Sequence, residues 1–339
     1  MFATCSTPGT AEGKIRYTGI ELTEFLRTAG LTVHYRTPGG IIRAVDGVSF
    51  EISQPGQALA LIGESGCGKS SAGLALLRLL PGNTSEFSGS IRFEGCDLTT
   101  LNNEDFRRSY RWKKIAWVPQ NTKSSLDPYF SIEAQFKELF EAHGIRNAAE
   151  KISRLLATVG LSKEKCGSIP DRLSGGEIQR ACIALAFALE PALVILDEPT
   201  SALDPSLKGQ IISLLISLKK ELSTSYLFIT HDIAQAAAVC DYFIVLYAGK
   251  IVEKGTREQI LKTPLHPYTR KLLECISLSH QGEGVAYIPG EPPDLKGSNS
   301  GCSFAPRCDQ SEAACLKGVP VLDETEEGHF VACRLARKI

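Results

Sequence analysis

A glycine-rich loop between an apolar strand and a helix limits what this chain can fold into. The stretch from Ala58 to Ile62 is entirely apolar, and Gly63 to Ser70 reads Gly-Glu-Ser-Gly-Cys-Gly-Lys-Ser. An apolar-rich stretch then continues to residue 80, where a Pro-Gly pair follows. A short apolar run indicates a buried strand, and a longer one stopped by proline and glycine indicates a helix. The loop therefore joins the end of a buried strand to the start of a helix.

The same alternation of strand and helix recurs downstream. It runs through a strand around Ile195, a helix at 211–222 and strands at 226–229 and 243–246. Apolar residues at 131–166 and 174–189 have helical spacing, whereas 31–35 and 44–52 alternate as short antiparallel strands do. This pattern predicts an α/β fold whose parallel sheet is covered by helices on both faces.

Length and composition argue against several classes of protein. The chain has 339 residues and a formal net charge of −1, so electrostatics gives no reason to expect nucleic acid or anionic lipid as a partner. Its longest apolar run, residues 181–189, is much shorter than the about 20 residues that a membrane helix needs. The first residues lack the basic-then-apolar order of a signal peptide. We therefore expect a cytosolic protein that meets a membrane only through a partner.

The loop matches the P-loop pattern Gly-x4-Gly-Lys-Ser. Its glycines let backbone N–H groups turn inward around a β-phosphate, and the helix that begins at Lys69 adds the positive end of its dipole. Lys69 would reach the β- and γ-phosphates, and the Ser70 hydroxyl would coordinate Mg²⁺. A glycine-rich turn of an ordinary α/β protein is the alternative. The residues predicted to contact a nucleotide here are Gly63, Ser65, Gly66, Cys67, Gly68, Lys69, Ser70 and Ser71.

Two acidic residues, Asp197 and Glu198, end the apolar stretch 193–196. Ligands of parallel sheets gather at the carboxyl ends of the strands, so we expect Asp197 to face the same site as the P-loop. Asp197 would hold Mg²⁺ through water, and Glu198 would orient and deprotonate the attacking water. The alternative is that two acids simply end a strand before the turn at Pro199.

A further motif, Leu-Ser-Gly-Gly-Glu, occupies residues 173–177. Ser174 and Glu177 form the capping-box pair that begins a helix. A capped helix start that contains two glycines also exposes N–H groups to an anion. The capping role and the anion-binding role are compatible with each other.

Together and in this order, these motifs make residues 31–260 resemble the nucleotide-binding domain of an ABC transporter. The resemblance implies a P-loop NTPase core of the RecA type, which carries an antiparallel β subdomain and a helical subdomain at about 121–180. It implies that Ser174 and Gly176 bind the γ-phosphate of an ATP held by a facing subunit, so that a dimer is needed. Glu177 stands where the family most often has Gln, a variant that we do not take as loss of activity.

The resemblance assigns roles to four further residues. Gln120 matches the loop that contacts Mg²⁺ and signals to the membrane subunit, and Asp204, in Ser-Ala-Leu-Asp, matches the loop that crosses the dimer interface. His231 is placed beside the γ-phosphate, although a lone histidine after a strand is more often structural. Tyr35 lies where the family stacks an aromatic ring on adenine, and it could equally be an ordinary strand residue.

The C-terminal part narrows the resemblance to one branch of the family. It contains His-Pro-Tyr-Thr at 266–269, Ile-Pro-Gly-Glu-Pro-Pro at 288–293 and Gly-Cys-Ser-Phe-Ala-Pro-Arg-Cys at 301–308. These motifs resemble the C-terminal extension of oligopeptide/dipeptide permease ATPases. The resemblance implies import of di- and oligopeptides, with nickel and oligosaccharides as alternative cargoes.

Four of the eleven cysteines cluster in this extension: Cys302, Cys308, Cys315 and Cys333. In a reducing compartment such a cluster favours metal over disulfide. The short Cys-x2–4-Cys element of most structural zinc sites is missing, because the spacings are x5, x6 and x17. Four thiolates suit a 4Fe–4S cluster, and the resemblance supports that ligation. Zinc and no metal remain alternatives.

These inferences define the expected organisation and role of the chain. We expect an N-terminal extension at 1–30, the nucleotide-binding domain at 31–262 and an irregular, cysteine-rich extension at 263–339. The resemblance implies an ATP-hydrolysing subunit that energises a peptide importer from the cytoplasmic face of the membrane. Its expected partners are a paralogous ATPase subunit, two transmembrane permease subunits and an extracellular substrate-binding protein. The competing hypotheses are a soluble ABC ATPase that acts in translation or DNA repair, and a regulatory iron–sulfur module.

Overall fold

The computed structural model describes residues 25–201, 203–281, 287–297 and 300–336. Most of the predicted N-terminal extension lies outside the described residues, as does Ala202 of the predicted interface loop. The strands are β1 (Leu26–Thr37), β2 (Gly40–Ile52), β3 (Ala58–Ile62), β4 (Thr84–Phe93), β5 (Cys96–Asp97), β6 (Ile115–Val118), β7 (Leu193–Asp197), β8 (Ser225–Thr230), β9 (Tyr242–Tyr247), β10 (Lys250–Thr256), β11 (Asp323–Glu326) and β12 (His329–Val331).

The α-helices connect and cover these strands. They are α1 (Lys69–Leu76), α2 (Asn103–Ser109), α3 (Ile132–Ala142), α4 (Ala149–Thr158), α5 (Lys163–Cys166), α6 (Gly175–Phe187), α7 (Pro205–Leu222), α8 (Ile233–Val239), α9 (Arg257–Lys262) and α10 (Pro267–Gln281). Short 3₁₀ turns occur at Lys123–Ser125, Pro170–Arg172, Ala305–Arg307 and Ala313–Leu316. No helix of the described residues is both long enough and apolar enough to span a bilayer.

The main sheet has eight strands in the order β11-β12-β10-β9-β3-β8-β7-β6. The run from β9 to β6 is parallel, and β10, β12 and β11 extend it in antiparallel fashion. Every residue of β3, β7 and β8 is buried. Side chains alternate between two cores, because Ala60 of β3 belongs to one apolar cluster while Leu59 and Leu61 belong to the other. The predicted parallel sheet with two covered faces is therefore confirmed.

A second, antiparallel sheet packs beside the first in the order β2-β1-β4-β5. Its first strand begins at Leu26, which pairs with Ile52 on one side and Phe93 on the other. The sheet therefore includes residues that the sequence analysis assigned to the N-terminal extension. The reason is that Leu26 and Phe25 are buried among the apolar residues of this sheet.

Helix α1 ends earlier than the sequence predicts. It stops at Leu76 instead of continuing to residue 80, because Arg78 adopts a left-handed backbone conformation with φ of 53°. The Leu79 N–H then donates to the Leu74 carbonyl at 3.0 Å and the Arg78 N–H to the Ala75 carbonyl at 3.1 Å. This is the Schellman arrangement, and it satisfies the last carbonyl groups of the helix.

The C-terminal extension is not irregular throughout, as the sequence analysis expected. Its hairpin of β11 and β12 joins the edge of the main sheet at β10. The fully buried carboxylate of Glu253, in β10, accepts hydrogen bonds from the His329 ring at 2.8 Å and from the N–H groups of Leu265 and His266 at 2.7 and 2.9 Å. One carboxylate therefore ties the hairpin and the start of α10 to the sheet.

We predict that Glu253→Gln loosens the extension. A neutral amide offers one oxygen to three donors, and breaking a buried charged arrangement of this kind costs about 3 kcal/mol. The variant should unfold at a lower temperature, and limited proteolysis should cleave after residue 262 sooner than in the unchanged protein. Glu258→Gln is the control, because Glu258 forms an exposed pair with Lys262. Equal proteolysis of the two variants would contradict this account.

Candidate active site

The loop between β3 and α1 adopts a shape that only glycine permits at two positions. A Cβ atom on Gly68, whose φ is 103°, would lie 1.9 Å from the Ala44 carbonyl oxygen. A Cβ atom on Gly63, whose φ is 151°, would lie 2.3 Å from the Leu246 carbonyl oxygen. Both contacts are with backbone atoms, which cannot turn away. The loop is therefore held tightly against the neighbouring backbone, and its shape is built into the fold.

The lysine of this loop is folded back over it. Lys69 is buried, and its ammonium group donates to the carbonyl oxygens of Gly63 and Glu64, each at 2.8 Å. Helix α1 begins directly after Gly68, which has no side chain with which to cap the first N–H groups. An uncapped helix start beside an ammonium group is a site for an anion such as phosphate.

The other predicted loop residues divide into exposed and buried ones. Ser65 and Gly66 are exposed, and Ser70 and Ser71 are half-buried. Cys67 is buried, and its Sγ atom lies 3.8 Å from the Lys69 Nζ atom. Burial raises the pKa of the Cys67 thiol, so it stays protonated. The Cys67 side chain therefore packs beneath the loop, so only the backbone of Cys67 is available to contact a nucleotide.

The carboxyl ends of the parallel strands bring the polar residues together. The Ser70 hydroxyl donates to the Asp197 carboxylate at 3.0 Å, across 127 residues of sequence. Asp197 is 3% exposed, and desolvation raises the pKa of its carboxyl group to about 6. The hydrogen bond from Ser70 acts in the opposite direction and lowers this pKa. A buried carboxylate beside a serine hydroxyl is a donor set that Mg²⁺ favours.

Glu198 is the centre of a second group at the same edge. Its carboxylate accepts a hydrogen bond from the Gln120 amide at 3.0 Å and lies 3.0 Å from the His231 Nδ1 atom. Gln120 follows β6, Glu198 follows β7 and His231 follows β8, and these three strands are neighbours in the sheet. Glu198 has a φ of 46°, and its N–H donates to the Ile229 carbonyl at 2.8 Å. A non-glycine residue in this conformation is uncommon and marks a position held by its surroundings.

The Leu-Ser-Gly-Gly-Glu motif at residues 173–177 lies outside this group. Ser174 caps α6 and forms the predicted capping box with Glu177. A Cβ atom on Gly176 would lie 3.1 Å from the side chain of Leu207, at the start of α7. Asp204 is exposed and caps α7. Among the residues that the structure describes, no hydrogen bond joins Ser174 or Gly176 to the P-loop, and their role toward a second subunit stays a prediction.

Tyr35 lies in β1, half-buried, opposite Ile42 and Thr84. It packs at the edge of the apolar cluster beneath the antiparallel sheet. This position suits an ordinary strand residue and leaves part of the ring exposed. The stacking of Tyr35 on adenine therefore stays a prediction.

Sequence reasoning missed a contact between the P-loop and the C-terminal extension. The Arg307 guanidinium donates to both carboxylate oxygens of Glu64, at 2.7 and 3.0 Å, across 243 residues of sequence. The Glu64 N–H donates to the Tyr268 hydroxyl at 2.8 Å. No local pattern signals this pair, because nothing in a sequence connects residues so far apart.

The four clustered cysteines line one cavity of about 20 Å³, together with His266 and Phe304. Burial raises the pKa of Cys302, Cys308 and Cys333, and neighbouring cysteines raise each of them further. Within the described ranges, no group of three or more His, Cys, Asp or Glu side chains is arranged to hold a metal ion. The four thiols thus line one common space.

Comparison with known proteins gives matches along the chain. A model described as ABC transporter matches residues 45–201, and one described as the C-terminal region of oligopeptide/dipeptide transporters matches 252–315. The dipeptide transport ATP-binding protein DppD of Caldanaerobacter subterraneus is 42% identical over 316 residues, which cover 91% of this chain and 96% of that protein. The oligopeptide transport ATP-binding protein OppD of Haemophilus influenzae is 37% identical and covers 92% and 97%, respectively.

A solved structure agrees in fold. The dimeric ATP-binding cassette MJ0796, in a post-hydrolysis state with ADP and Pi, superimposes with a TM-score of 0.61 at 25% identity. The match covers 68% of this chain and 98% of the cassette.

We predict that Asp197→Asn stabilises the protein when nucleotide and Mg²⁺ are absent. The folded pKa of about 6 exceeds the ordinary 3.8, so folding disfavours the charged carboxylate. This cost is absent below about pH 4, grows between pH 4 and 6, and is complete above pH 6. A shift of two units corresponds to at most about 3 kcal/mol.

Urea unfolding at pH 4 and pH 8 checks this expectation. The asparagine variant should be more stable than the unchanged protein at pH 8, and equal to it at pH 4. Asp171→Asn, which alters an exposed pair with Lys123, should show no gain at either pH. An Asp197 variant that is no more stable at pH 8 would contradict the assigned desolvation.

Proposed function

The chain belongs to the family of ABC transporter ATP-binding subunits, and we propose that it hydrolyses ATP to power a membrane importer of di- and oligopeptides. The chain matches its relatives over nearly their whole length, and these relatives are named as dipeptide and oligopeptide transport ATP-binding proteins. The match of residues 252–315 to the oligopeptide/dipeptide C-terminal region supports the same cargo class. The observation that carries the hydrolytic role is the contact of Glu198 with Gln120 and His231 beside the P-loop.

Phosphate binding falls to the P-loop and Lys69. The Lys69 ammonium leaves the carbonyl oxygens of Gly63 and Glu64 and turns to the β- and γ-phosphates. Backbone N–H groups of the loop and of the first turn of α1 surround the β-phosphate. Ser70 and Gln120 would coordinate Mg²⁺, and Asp197 would hold it through water. Mg²⁺ held by these residues would neutralise the negative charge that develops on the phosphates.

Glu198 acts as the general base in this proposal. The Gln120 amide releases one carboxylate oxygen when it turns toward the ion, and that oxygen accepts the proton of the attacking water. His231 holds the other oxygen and steadies the water beside the γ-phosphate. The left-handed backbone of Glu198 fixes the direction in which its carboxylate points.

The complete site requires two subunits. Ser174 and Gly176 at the start of α6 would bind the γ-phosphate of an ATP held by the facing P-loop, and Asp204 would lie at the interface. The dimeric assembly of the MJ0796 cassette supports this arrangement. We propose a paralogous ATPase as the facing subunit, with two transmembrane permease subunits and an extracellular substrate-binding protein completing the importer. The chain would then sit peripherally on the cytoplasmic face of the membrane, in contact only with the permease subunits.

The proposed functions divide the chain into three parts. Residues 31–262 form the nucleotide-binding domain, with a helical subdomain at about 121–180, and residues 263–339 form the extension that carries the thiols. Residues 1–30 are assigned to an N-terminal extension. The pairing of β1 from Leu26 onward indicates that this first boundary lies a few residues earlier in the folded protein.

We propose further that the four cysteines hold a 4Fe–4S cluster. Support comes from the convergence of Cys302, Cys308, Cys315 and Cys333 on one cavity. Zinc, which also takes thiolate ligands, is the alternative. Four thiolates are the ligand set that would suit a 4Fe–4S cluster. The cluster would order the extension.

We predict that Glu198→Gln lowers ATP turnover by about 10²- to 10⁴-fold, because the amide cannot accept the proton. Equilibrium binding of ATP should remain within a few-fold of the unchanged protein, since the amide matches the carboxylate in size and the P-loop and Lys69, which bind the phosphates, are unchanged. Glu221→Gln, at an exposed position near the end of α7, serves as the control and should hydrolyse ATP normally. Full turnover by the Glu198 variant would refute its role as the base.

We predict that the chain purified without oxygen contains about four irons and four sulfides and absorbs broadly near about 400 nm. Cys308→Ser should lower the iron content, whereas Cys166→Ser should not, because Cys166 is buried elsewhere, in the main apolar core. Zinc instead of iron, or no metal, would refute the cluster and leave the ATPase role intact.

A further inference from the structure

The P-loop of this chain carries an acidic residue where it must bind a polyanion. Glu64 follows Gly63 directly, and its carbonyl oxygen lies 2.8 Å from the Lys69 Nζ atom, the group assigned to the phosphates. The side chain is partly buried, at 25% exposed, so water screens its charge only in part. An unpaired carboxylate at this position would repel the nucleotide phosphates.

The guanidinium of Arg307 compensates this charge. It meets both oxygens of Glu64 in the bidentate geometry that arginine forms with carboxylates. Its other donors are used as well, on the Tyr247 hydroxyl at 3.2 Å and on the carbonyl oxygens of Ile288 and Pro289 at 2.9 and 3.0 Å. The Arg307 side chain is 4% exposed. It is therefore fixed in place by the residues around it and not only by Glu64.

Arg307 belongs to residues 301–308, here called the thiol-bearing segment, which carry Cys302 and Cys308. It ends the short turn Ala305–Arg307 and directly precedes Cys308. The turn is closed by the Ala305 N–H, which donates to the Cys302 carbonyl at 3.0 Å. The Cys302 N–H donates in turn to the Cys315 carbonyl at 2.8 Å. The position of the guanidinium thus depends on the order of the thiol-bearing segment.

Aromatic side chains form a second connection between the thiol-bearing segment and the P-loop. The Phe304 ring packs edge-on against Tyr268, with ring centres 5.4 Å apart, and against Tyr247 at 5.3 Å. Tyr268 accepts the Glu64 N–H with its hydroxyl. Both the side chain and the backbone of Glu64 are therefore held from the C-terminal extension.

We propose that the thiol-bearing segment, residues 301–308, sets the ATP affinity of the P-loop, because its Arg307 cancels the charge of Glu64. Arg307 is thus a positioning residue that acts through Glu64 and does not touch the nucleotide. When the segment is ordered, the P-loop presents net positive charge to the phosphates. When it loses order, the bare carboxylate weakens ATP binding. The proposal rests on the phosphate-binding role of the P-loop and holds whatever the four thiols ligate.

A double-mutant cycle on the full chain tests this. The dissociation constant for ATP is measured at equilibrium, without Mg²⁺, for the unchanged protein, Arg307→Gln, Glu64→Gln and the double variant. Arg307→Gln should bind ATP about tenfold more weakly, because the carboxylate is left unpaired. Glu64→Gln removes the repulsion together with the pair, and should bind within about threefold of the unchanged protein. The double variant should match Glu64→Gln.

Recovery of affinity in the double variant separates charge compensation from packing. A purely structural role of Arg307 predicts that the double variant binds as weakly as Arg307→Gln, and this result would overturn the proposal. The deficit of Arg307→Gln should also shrink as salt is raised from about 0.01 M to about 1 M. An Arg307→Gln variant with unchanged affinity would overturn the proposal as well.

The thiol-bearing segment is tested in the same way, which also covers an Arg307 variant that fails to fold. Cys308→Ser should weaken ATP binding, and adding Glu64→Gln should restore it. Asp309→Asn is the matched control, because Asp309 directly follows the segment and pairs with Lys271 of α10. Among the described residues Asp309 has no hydrogen bond or ion pair with the P-loop, so the ATP affinity of this variant should not change. A Cys308→Ser deficit that Glu64→Gln does not relieve would refute the link. Absence of ATP binding by the unchanged protein would refute the proposed function instead.

Discussion

The parallel pairing of four buried strands is the constraint on which the rest of this structure depends. β3, β8, β7 and β6 are neighbours, run in one direction and end at one edge of the main sheet. The residues that follow these four strands therefore meet although they are far apart in sequence. Lys69, His231, Glu198 and Gln120 reach the same place for this reason. The chemistry of the site is a consequence of strand direction, and each side chain is then refined by local hydrogen bonds.

A second set of contacts makes the C-terminal extension part of the same unit. Glu253 ties the β11–β12 hairpin and the start of α10 to the sheet, and Arg307 ties the thiol-bearing segment to the P-loop. Both are buried or nearly buried charged contacts, whose loss leaves an uncompensated charge in place. The C-terminal extension is thus better described as part of the nucleotide site than as an appendage, although it comes late in the sequence.

Local patterns in the sequence predict much of the fold and the candidate site. The apolar stretch 58–62, the glycines that follow and the Ser174–Glu177 capping box each carry their own structure, so the corresponding strand, loop and helix start are confirmed. The predicted end of α1 was wrong because the Schellman turn places Arg78 where glycine is the usual residue. The β11–β12 hairpin was missed because its strands are short and mostly polar.

Long-range contacts could not be predicted from the sequence. Glu64 reads as an unremarkable residue of the P-loop pattern, and Arg307 as one basic residue between a proline and a cysteine. Their pairing depends on the packing of Phe304 against Tyr247 and Tyr268, which only the folded chain shows. The same holds for the four cysteines, whose spacing suggests metal but whose common cavity is a property of the fold.

The proposed coupling makes the P-loop and the thiol-bearing segment one energetic unit. Hydrogen exchange of the full chain, with and without ATP and in the absence of Mg²⁺, tests it most directly. Coupling between two sites is reciprocal, so ATP bound at the P-loop must stabilise the segment that holds Arg307. We expect slower exchange of the amides at 301–308 as well as at 63–71 when ATP is bound. Protection confined to the P-loop and the strand ends, with 301–308 unchanged, would contradict it.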